Sequence, residues 1–364
     1  MPSTRSLGRQ EQLFDDAATG HRALPVLGEQ KDIRYYGVRA ASILNSPEQT
    51  GMGFWSINPY IGCAFGCAYC YARYAHGYAF ERAGAAHPEH AGLATDLENI
   101  PPWLAFERRI LVKENSPALL RRTLRSGSDR YAALAAGDSI AIGTATDPYQ
   151  PAERRYRLTR GILEALADHP GLRIGITTKS PLVTRDIDVL TRIRRHSSVH
   201  VNVSLITVDR DLARRIEPRA PTPESRLRAI RRLREHGIEA GVFVMPVLPG
   251  ITDAAAELEA LVAAVADAGA TSIAAGALRL QTTARKRYLP FIEDEFPELT
   301  ARYRSTYASS SNATDRYREG LSAAMRRLCV RYGIAYGHRQ GDDHPAEATD
   351  PAEQLELPLQ TPAD

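Results

Sequence analysis

From about residue 54 the chain repeats one pattern, a short β-rich run followed by a polar stretch of helical periodicity, at intervals of roughly thirty to sixty residues. No other feature limits the fold as much, because successive parallel strands need a long crossover and a helix is the usual one. Runs 54–59, 139–144, 172–178, 199–207, 238–246 and 272–280 have strand character, and 154–168, 182–196, 223–236 and 254–268 read as amphipathic helices between them. Six strands alternating with helices predict an α/β fold, a parallel sheet with helices outside it. Periodicity alone does not say whether the sheet closes into a barrel. Polar residues collect just after the strand ends: Asn58, then Thr146 and Asp147, Lys179 and Ser180, Ser204 and Thr207, and Arg279. Ligands of parallel α/β folds bind at the carboxyl ends of strands, so this face is the expected site.

The 364 residues have room for one large α/β domain with appendages, and their longest apolar stretches are strand-length rather than membrane-length. The first residues lack the charged-then-apolar order of a secretory signal, so a cytoplasmic protein with reduced thiols is expected. Four cysteines in that setting are ligands, redox groups or core residues rather than a disulfide framework. Residues 1–50 are expected to be a partly extended N-terminal extension, 51–280 the core and 281–340 a helical C-terminal extension rich in Tyr and Arg. The tail 341–364 holds seven Asp or Glu and no Lys or Arg, and its composition is that of a disordered segment. Residues 1–340 therefore carry a net charge of +10, 46 basic against 36 acidic residues, which is compatible with a polyanionic substrate. The arginines of the 223–236 stretch (Arg226, Arg228, Arg231, Arg232 and Arg234) are expected on its solvated outer face.

The segment Asn58-Pro-Tyr-Ile-Gly-Cys63-Ala-Phe-Gly-Cys67-Ala-Tyr-Cys70-Tyr-Ala-Arg73 follows the first strand and places three thiols within eight residues. Gly62 and Gly66 let so short a loop curl until its sulfurs converge. A structural zinc asks for a fourth ligand. The remaining thiol, Cys329, lies 259 residues further on in a helix-patterned run, where a packed core cysteine is expected. A redox dithiol would use Cys67 and Cys70 and leave Cys63 without a task. Three thiolates suit a cubane cluster with one iron open to a ligand.

This spacing, with an aromatic residue (Tyr69) directly before the last cysteine, resembles the signature of radical S-adenosylmethionine (SAM) enzymes. Further stretches are similar to the spore photoproduct lyase-related branch of that family: Phe106-Glu-Arg-Arg-Ile-Leu-Val-Lys-Glu114, Gly143-Thr-Ala-Thr-Asp-Pro-Tyr-Gln-Pro-Ala-Glu153, Thr177-Thr-Lys-Ser180, Glu217-Pro-Arg-Ala-Pro221 and Val247-Leu-Pro-Gly-Ile-Thr-Asp253. The resemblance implies an incomplete (βα)6 barrel of TIM type holding a [4Fe–4S] cluster on Cys63, Cys67 and Cys70, with S-adenosyl-L-methionine as cofactor. It implies reductive cleavage of that cofactor to a 5′-deoxyadenosyl radical, with an electron from an external donor of the flavodoxin or ferredoxin type. By the same resemblance Tyr69 stands near the adenine, Thr146 and Asp147 contact the SAM amino group, and Lys179 and Ser204 hold its carboxylate.

One departure bears on function, since Thr144 occupies the position at which spore photoproduct lyases carry their hydrogen-donating cysteine. An alkyl O–H bond is far stronger than a thiol S–H bond, so repair by the same route is not expected. The expected substrate is a nucleic acid or nucleotide, in lyase or repair-like chemistry. The alternatives are radical modification of a peptide or metabolite, or a non-catalytic iron–sulfur or zinc protein. In the tail, Gln354-Leu-Glu-Leu-Pro-Leu359 resembles the short peptide by which bacterial replication and repair proteins dock on the DNA sliding clamp, which makes the clamp a candidate partner.

Overall fold

The computed structural model describes residues 26–30, 32–50, 53–75, 99–125 and 129–337. Most of the N-terminal extension and the whole acidic tail, with Gln354–Leu359, lie outside them. The chain forms two compact units, one of residues 1–66, 72–178 and 185–200, the other of residues 67–71, 179–184 and 201–364. The fold is mixed α/β, with strands toward the N-terminus and helices toward the C-terminus.

The first unit carries two sheets. In one, β3 (Leu44–Asn45) pairs antiparallel with β4 (Trp55–Ile57), and β4, β7 (Ser139–Ile142) and β8 (Arg173–Thr178) run parallel in that order. These are the first three expected strands, each a little shorter than its sequence window. The other sheet has the order β1 (Val26–Gln30), β2 (Ile33–Val38), β6 (Arg109–Lys113), β5 (Tyr60–Ile61), with β2 and β6 parallel and both edge pairings antiparallel. Side chains alternate across it: Ile33, Tyr35, Tyr60, Ile110 and Val112 pack on one face, and Tyr36, Val38, Ile61 and Leu111 on the other. Both faces are therefore apolar and buried, and the polar–apolar alternation that marks a half-buried strand is missing.

In the second unit β10 (Glu239–Val247), β11 (Ser272–Ala277) and β12 (Ala335–Tyr336) run parallel, and the Leu205 N–H, just beyond β9 (Ser198–Ser204), donates to the Phe243 carbonyl of β10 at 3.0 Å. The helix Pro223–Glu235 starts where Thr222 accepts from the Ser225 N–H with proline in the first turn, and it buries Ala229, Ile230 and Leu233. Ala255–Asp267 buries Leu258, Leu261, Val262 and Val265, and Asp315–Arg331 buries Leu321, Met325, Leu328 and Cys329. Cys329 is thus the packed core cysteine expected, its thiol pushed up to about 12 by burial.

Three expectations are corrected. The stretch 154–168 is not one helix but two, Pro151–Tyr156 and Leu158–Leu166, broken at Arg157, whose φ is +51°. The 182–196 stretch opens as a 3-10 turn, Pro181–Asp186, and becomes α-helical only over Ile187–Ile193. Arg226 is not on the outer face of its helix: it is buried, while Arg228, Arg231 and Arg232 are exposed.

Candidate active site

The cysteine loop begins at Gly62 and turns again at Gly66, with φ of +89° and +68°, angles that glycine adopts without the clash a Cβ would bring. Cys63 and Cys67 are buried and Cys70 is partly exposed. Among the described residues no group of three or more His, Cys, Asp or Glu is placed to hold a metal ion. By donor chemistry alone, three thiols suit a cubane cluster with one iron left open.

In the first unit the loop is held from several sides. The Cys63 N–H donates to the Phe106 carbonyl at 2.9 Å, within the helix Pro102–Arg108. Arg73, just beyond the last cysteine, is fully buried, donates to the Trp103 carbonyl, and pairs at 2.7 Å with Glu107 of the same helix. A buried guanidinium needs such a partner, and here the pair ties the loop's exit to the helix that receives its entry. Gln150, fully buried, donates from Nε2 to the Gly62 carbonyl and to Thr146 Oγ1, each at 3.0 Å, and accepts the Ala64 N–H at 2.9 Å. The Thr146 hydroxyl itself donates to the Gly62 carbonyl at 2.6 Å.

Asp147 Oδ1 accepts the Thr178 hydroxyl at 2.7 Å and the Tyr149 N–H at 2.9 Å, so the carboxylate is fixed at the end of β7 by a residue at the end of β8. Asn58 fixes the neighbouring turn: its amide donates to Thr144 Oγ1 at 2.9 Å and its carbonyl oxygen accepts the Ala145 N–H at 2.8 Å. The Asn58 backbone carbonyl accepts in turn from the Lys113 ammonium at 2.9 Å. Lys113 is buried, and burial pushes its ammonium down to about 8.

In the second unit Lys179, at the end of β8, donates to Ser204 Oγ at 2.9 Å, and its ammonium lies 5.6 Å above the centre of the Tyr69 ring. Lys179 and Tyr69 both meet Glu217. The carboxylate accepts the Tyr69 hydroxyl on Oε1 and Arg226 on Oε2, and Lys179 Nζ lies 3.7 Å from Oε1. Arg226 also donates to the Ser204 carbonyl at 3.0 Å and the Pro221 carbonyl at 2.9 Å, so each nitrogen of a cation buried to 1% exposure has an acceptor. Burial alone would raise the Glu217 carboxyl, but Arg226 and Lys179 outweigh it and hold it below its ordinary value. Burial, and then the Glu217 charge, push the Cys67 thiol up to about 12, and the same two causes raise the Tyr69 phenol. Cys67 is therefore a thiol until a cation such as iron stabilises the thiolate.

Within its own unit each sequence-predicted residue has a defined place: Thr146 and Asp147 at the end of β7, Lys179, Ser204 and Tyr69 in one hydrogen-bonded group. Sequence reasoning missed Gln150, Glu217, Lys113 and the inward turn of Arg226. Arg226 was legible, since it falls three, four and seven residues before Ala229, Ile230 and Leu233, on the apolar stripe of its helix.

The described residues contain no helix long and apolar enough to cross a membrane. Residues 57–262 match the model of the Radical SAM superfamily. An uncharacterised protein of Mycobacterium tuberculosis is 34% identical over 309 residues, 84% of this chain and 83% of the relative. An uncharacterised protein of Acidianus two-tailed virus is 30% identical over 271 residues, 70% of this chain and 81% of the relative. Among solved structures, spore photoproduct lyase complexed with dinucleoside spore photoproduct superposes with a TM-score of 0.58 at 16% identity, covering 87% of this chain and 88% of that one.

Proposed function

Because this chain belongs to the radical SAM superfamily and is an enzyme of that class, we propose that it binds its cluster on Cys63, Cys67 and Cys70 and acts on a nucleic acid or nucleotide. Held by Cys63, Cys67 and Cys70, a [4Fe–4S] cluster with S-adenosyl-L-methionine would supply radical chemistry, the removal of a hydrogen atom from substrate. The chain's own residues hold and orient. Lys179 and Ser204 offer a carboxylate one ammonium and one hydroxyl, already paired at 2.9 Å and therefore preorganised. Asp147, with one oxygen taken by Thr178 and Tyr149, offers a fixed negative charge to an amino group. Tyr69, anchored through its hydroxyl to Glu217, presents a ring face of fixed orientation to an adenine. Glu217 keeps Tyr69 and Lys179 together, and Arg226 keeps Glu217 ionised. The electron would come from an external donor of the flavodoxin or ferredoxin type.

The substrate class rests on one observation above all, the likeness in fold to a lyase that holds a dinucleoside lesion, and the charge of +10 on residues 1–340 agrees with it. Thr144 separates this chemistry from that of the lyase. Its hydroxyl oxygen is held by Asn58 at 2.9 Å, and its O–H bond is too strong to return a hydrogen atom to a product radical, so the product radical is quenched by another route. Anaerobic reconstitution with iron, sulfide, SAM and a reductant should yield 5′-deoxyadenosine. Deuterium from labelled oligonucleotides should then appear in it. Transfer from a labelled peptide or metabolite pool and never from nucleic acid would move the enzyme to the other substrate class. For the tail we propose docking of Gln354–Leu359 on the DNA sliding clamp, which would tether the enzyme to DNA without occupying its catalytic face.

A further inference from the structure

The break at Arg157 is a built corner. Glu153, in the first turn of the helix Pro151–Tyr156, is fully buried, and its carboxylate accepts the Thr159 N–H at 2.9 Å and the Arg160 N–H at 3.2 Å. One helix thus caps the N-terminus of the next. The same carboxylate accepts the Tyr60 hydroxyl at 2.6 Å and pairs with Arg185 at 2.7 Å, so the cap cannot swing away. The link between the helices is a single residue, Arg157, and the cap forces it into the left-handed region, where it is the one non-glycine residue with positive φ among the described residues.

Arginine is a poor fit to that position on two counts. Glycine or asparagine adopts the conformation with less strain. Arg157 is also the N-cap of the nine-residue helix Leu158–Leu166, whose positive dipole end disfavours a cation. Arg154 and Arg155 precede it, and all three are exposed. The dipole of the first helix accounts for Arg154 and Arg155 in its last turn but not for Arg157. Among the described residues none of the three has a carboxylate partner, whereas the adjacent Arg160 pairs with Glu164, Asp186 and Asp188 and Arg185 pairs with Glu153 and Asp186. The corner follows directly on the loop that carries Thr146 and Asp147, a six-residue helix, or about 9 Å, away along the chain.

We propose that Arg154, Arg155 and Arg157 form a binding surface for the phosphodiester backbone of a polynucleotide substrate, an inference that rests on the nucleic-acid reading above. Arg155 lies 5.3 Å over the Tyr156 ring, and three exposed guanidiniums without a carboxylate partner suit successive phosphates, while the corner locked by a buried carboxylate fixes the backbone from which they extend.

The test is fluorescence anisotropy of the reconstituted enzyme with a labelled 20-base-pair DNA duplex and with an RNA hairpin of matched charge, titrated across salt concentrations. Each backbone contact contributes about 0.9 to the slope of log affinity against log salt on duplex DNA, so Arg154→Ala, Arg155→Ala and Arg157→Gly combined should lower it by two to three. Arg157→Gly alone should lower it by about one while unfolding at a temperature no lower than wild type, because the strain is relieved. The arm that shows the change identifies the polynucleotide. Wild-type binding with an unchanged slope in the triple variant would overturn the corner and leave the nucleic-acid reading standing. Wild-type binding to neither probe would overturn both.

Discussion

Replacing Lys113 with methionine should stabilise this protein at neutral pH and leave it no more stable in alkali. The residue is 3% exposed, and the described partner of its ammonium is a single backbone carbonyl, Asn58, at 2.9 Å. Burial lowers its pKa from 10.5 to about 8, which corresponds to about 3 kcal/mol against the charged form. Below pH 8 the lysine is charged in both folded and unfolded chains and the whole penalty acts. Between 8 and 10.5 the native lysine has lost its proton while the unfolded one keeps it, and the penalty fades, vanishing above 10.5. Methionine, of similar length and without charge, removes the penalty but forfeits a charge-assisted hydrogen bond of about 1.5 kcal/mol. The net gain at pH 7 is about 1.5 kcal/mol, on the order of 3 °C in Tm for a chain of this size, and by about pH 9.5 it should have fallen nearly to zero. Anaerobic thermal unfolding of both proteins at the two pH values measures this as a difference in which their other titrating groups cancel. A variant destabilised by the same amount at both would refute the reasoning, since it would mean that Lys113 is stabilised as a cation by its surroundings.

The cysteine assignment predicts that alanine at Cys63, Cys67 or Cys70 abolishes both the intact cluster and SAM cleavage, while Cys329→Ala keeps both; iron content and visible absorbance of the four variants check it. Lys179→Ala should weaken SAM binding by about ten- to a hundredfold, the loss of a charge-assisted hydrogen bond of about 1.5–3 kcal/mol, in protein that retains its iron. Glu217→Gln should behave differently, because it leaves Arg226 buried without its carboxylate: a stability loss of about 3 kcal/mol is expected, visible as a lowered Tm even before cluster reconstitution. For the tail, a peptide spanning residues 350–364 should bind the sliding clamp at about micromolar affinity, on the order of −8 kcal/mol, and Gln354→Ala with Leu357→Ala should eliminate it; calorimetry showing no binding of the wild-type peptide would discard the docking.

Strands β4, β7, β8, β10 and β11 were legible because each is a β-rich run bounded by turn residues, and the cysteines because three thiols in eight residues admit few chemistries. The sheet of β1, β2, β6 and β5 was not, for a physical reason. β2 and β6 are apolar on both faces, so their side chains carry no alternation, and the partner that makes them strands lies more than seventy residues away in sequence, as Tyr35 pairs with Ile110. Long-range pairing also explains the helix break. Local propensity runs unbroken from Glu153 to Leu166, and only the burial of Glu153 under Tyr60 and Arg185 turns its carboxylate into a cap and Arg157 into a corner. The hydrogen-bonded group around Glu217 has the same origin. Lys179 and Ser204 could be placed by their positions at strand ends, but a carboxylate that serves Tyr69, Lys179 and Arg226 at once draws on four separate segments of chain. No local pattern encodes such a meeting. What the sequence does carry is its cost, a Glu, a Lys and an Arg at positions the fold then buries or half-buries, and such charges persist in a folded core only where each finds its partner. Charges on an otherwise apolar helix face, as at Arg226, are therefore the residues from which an unseen site can be sought.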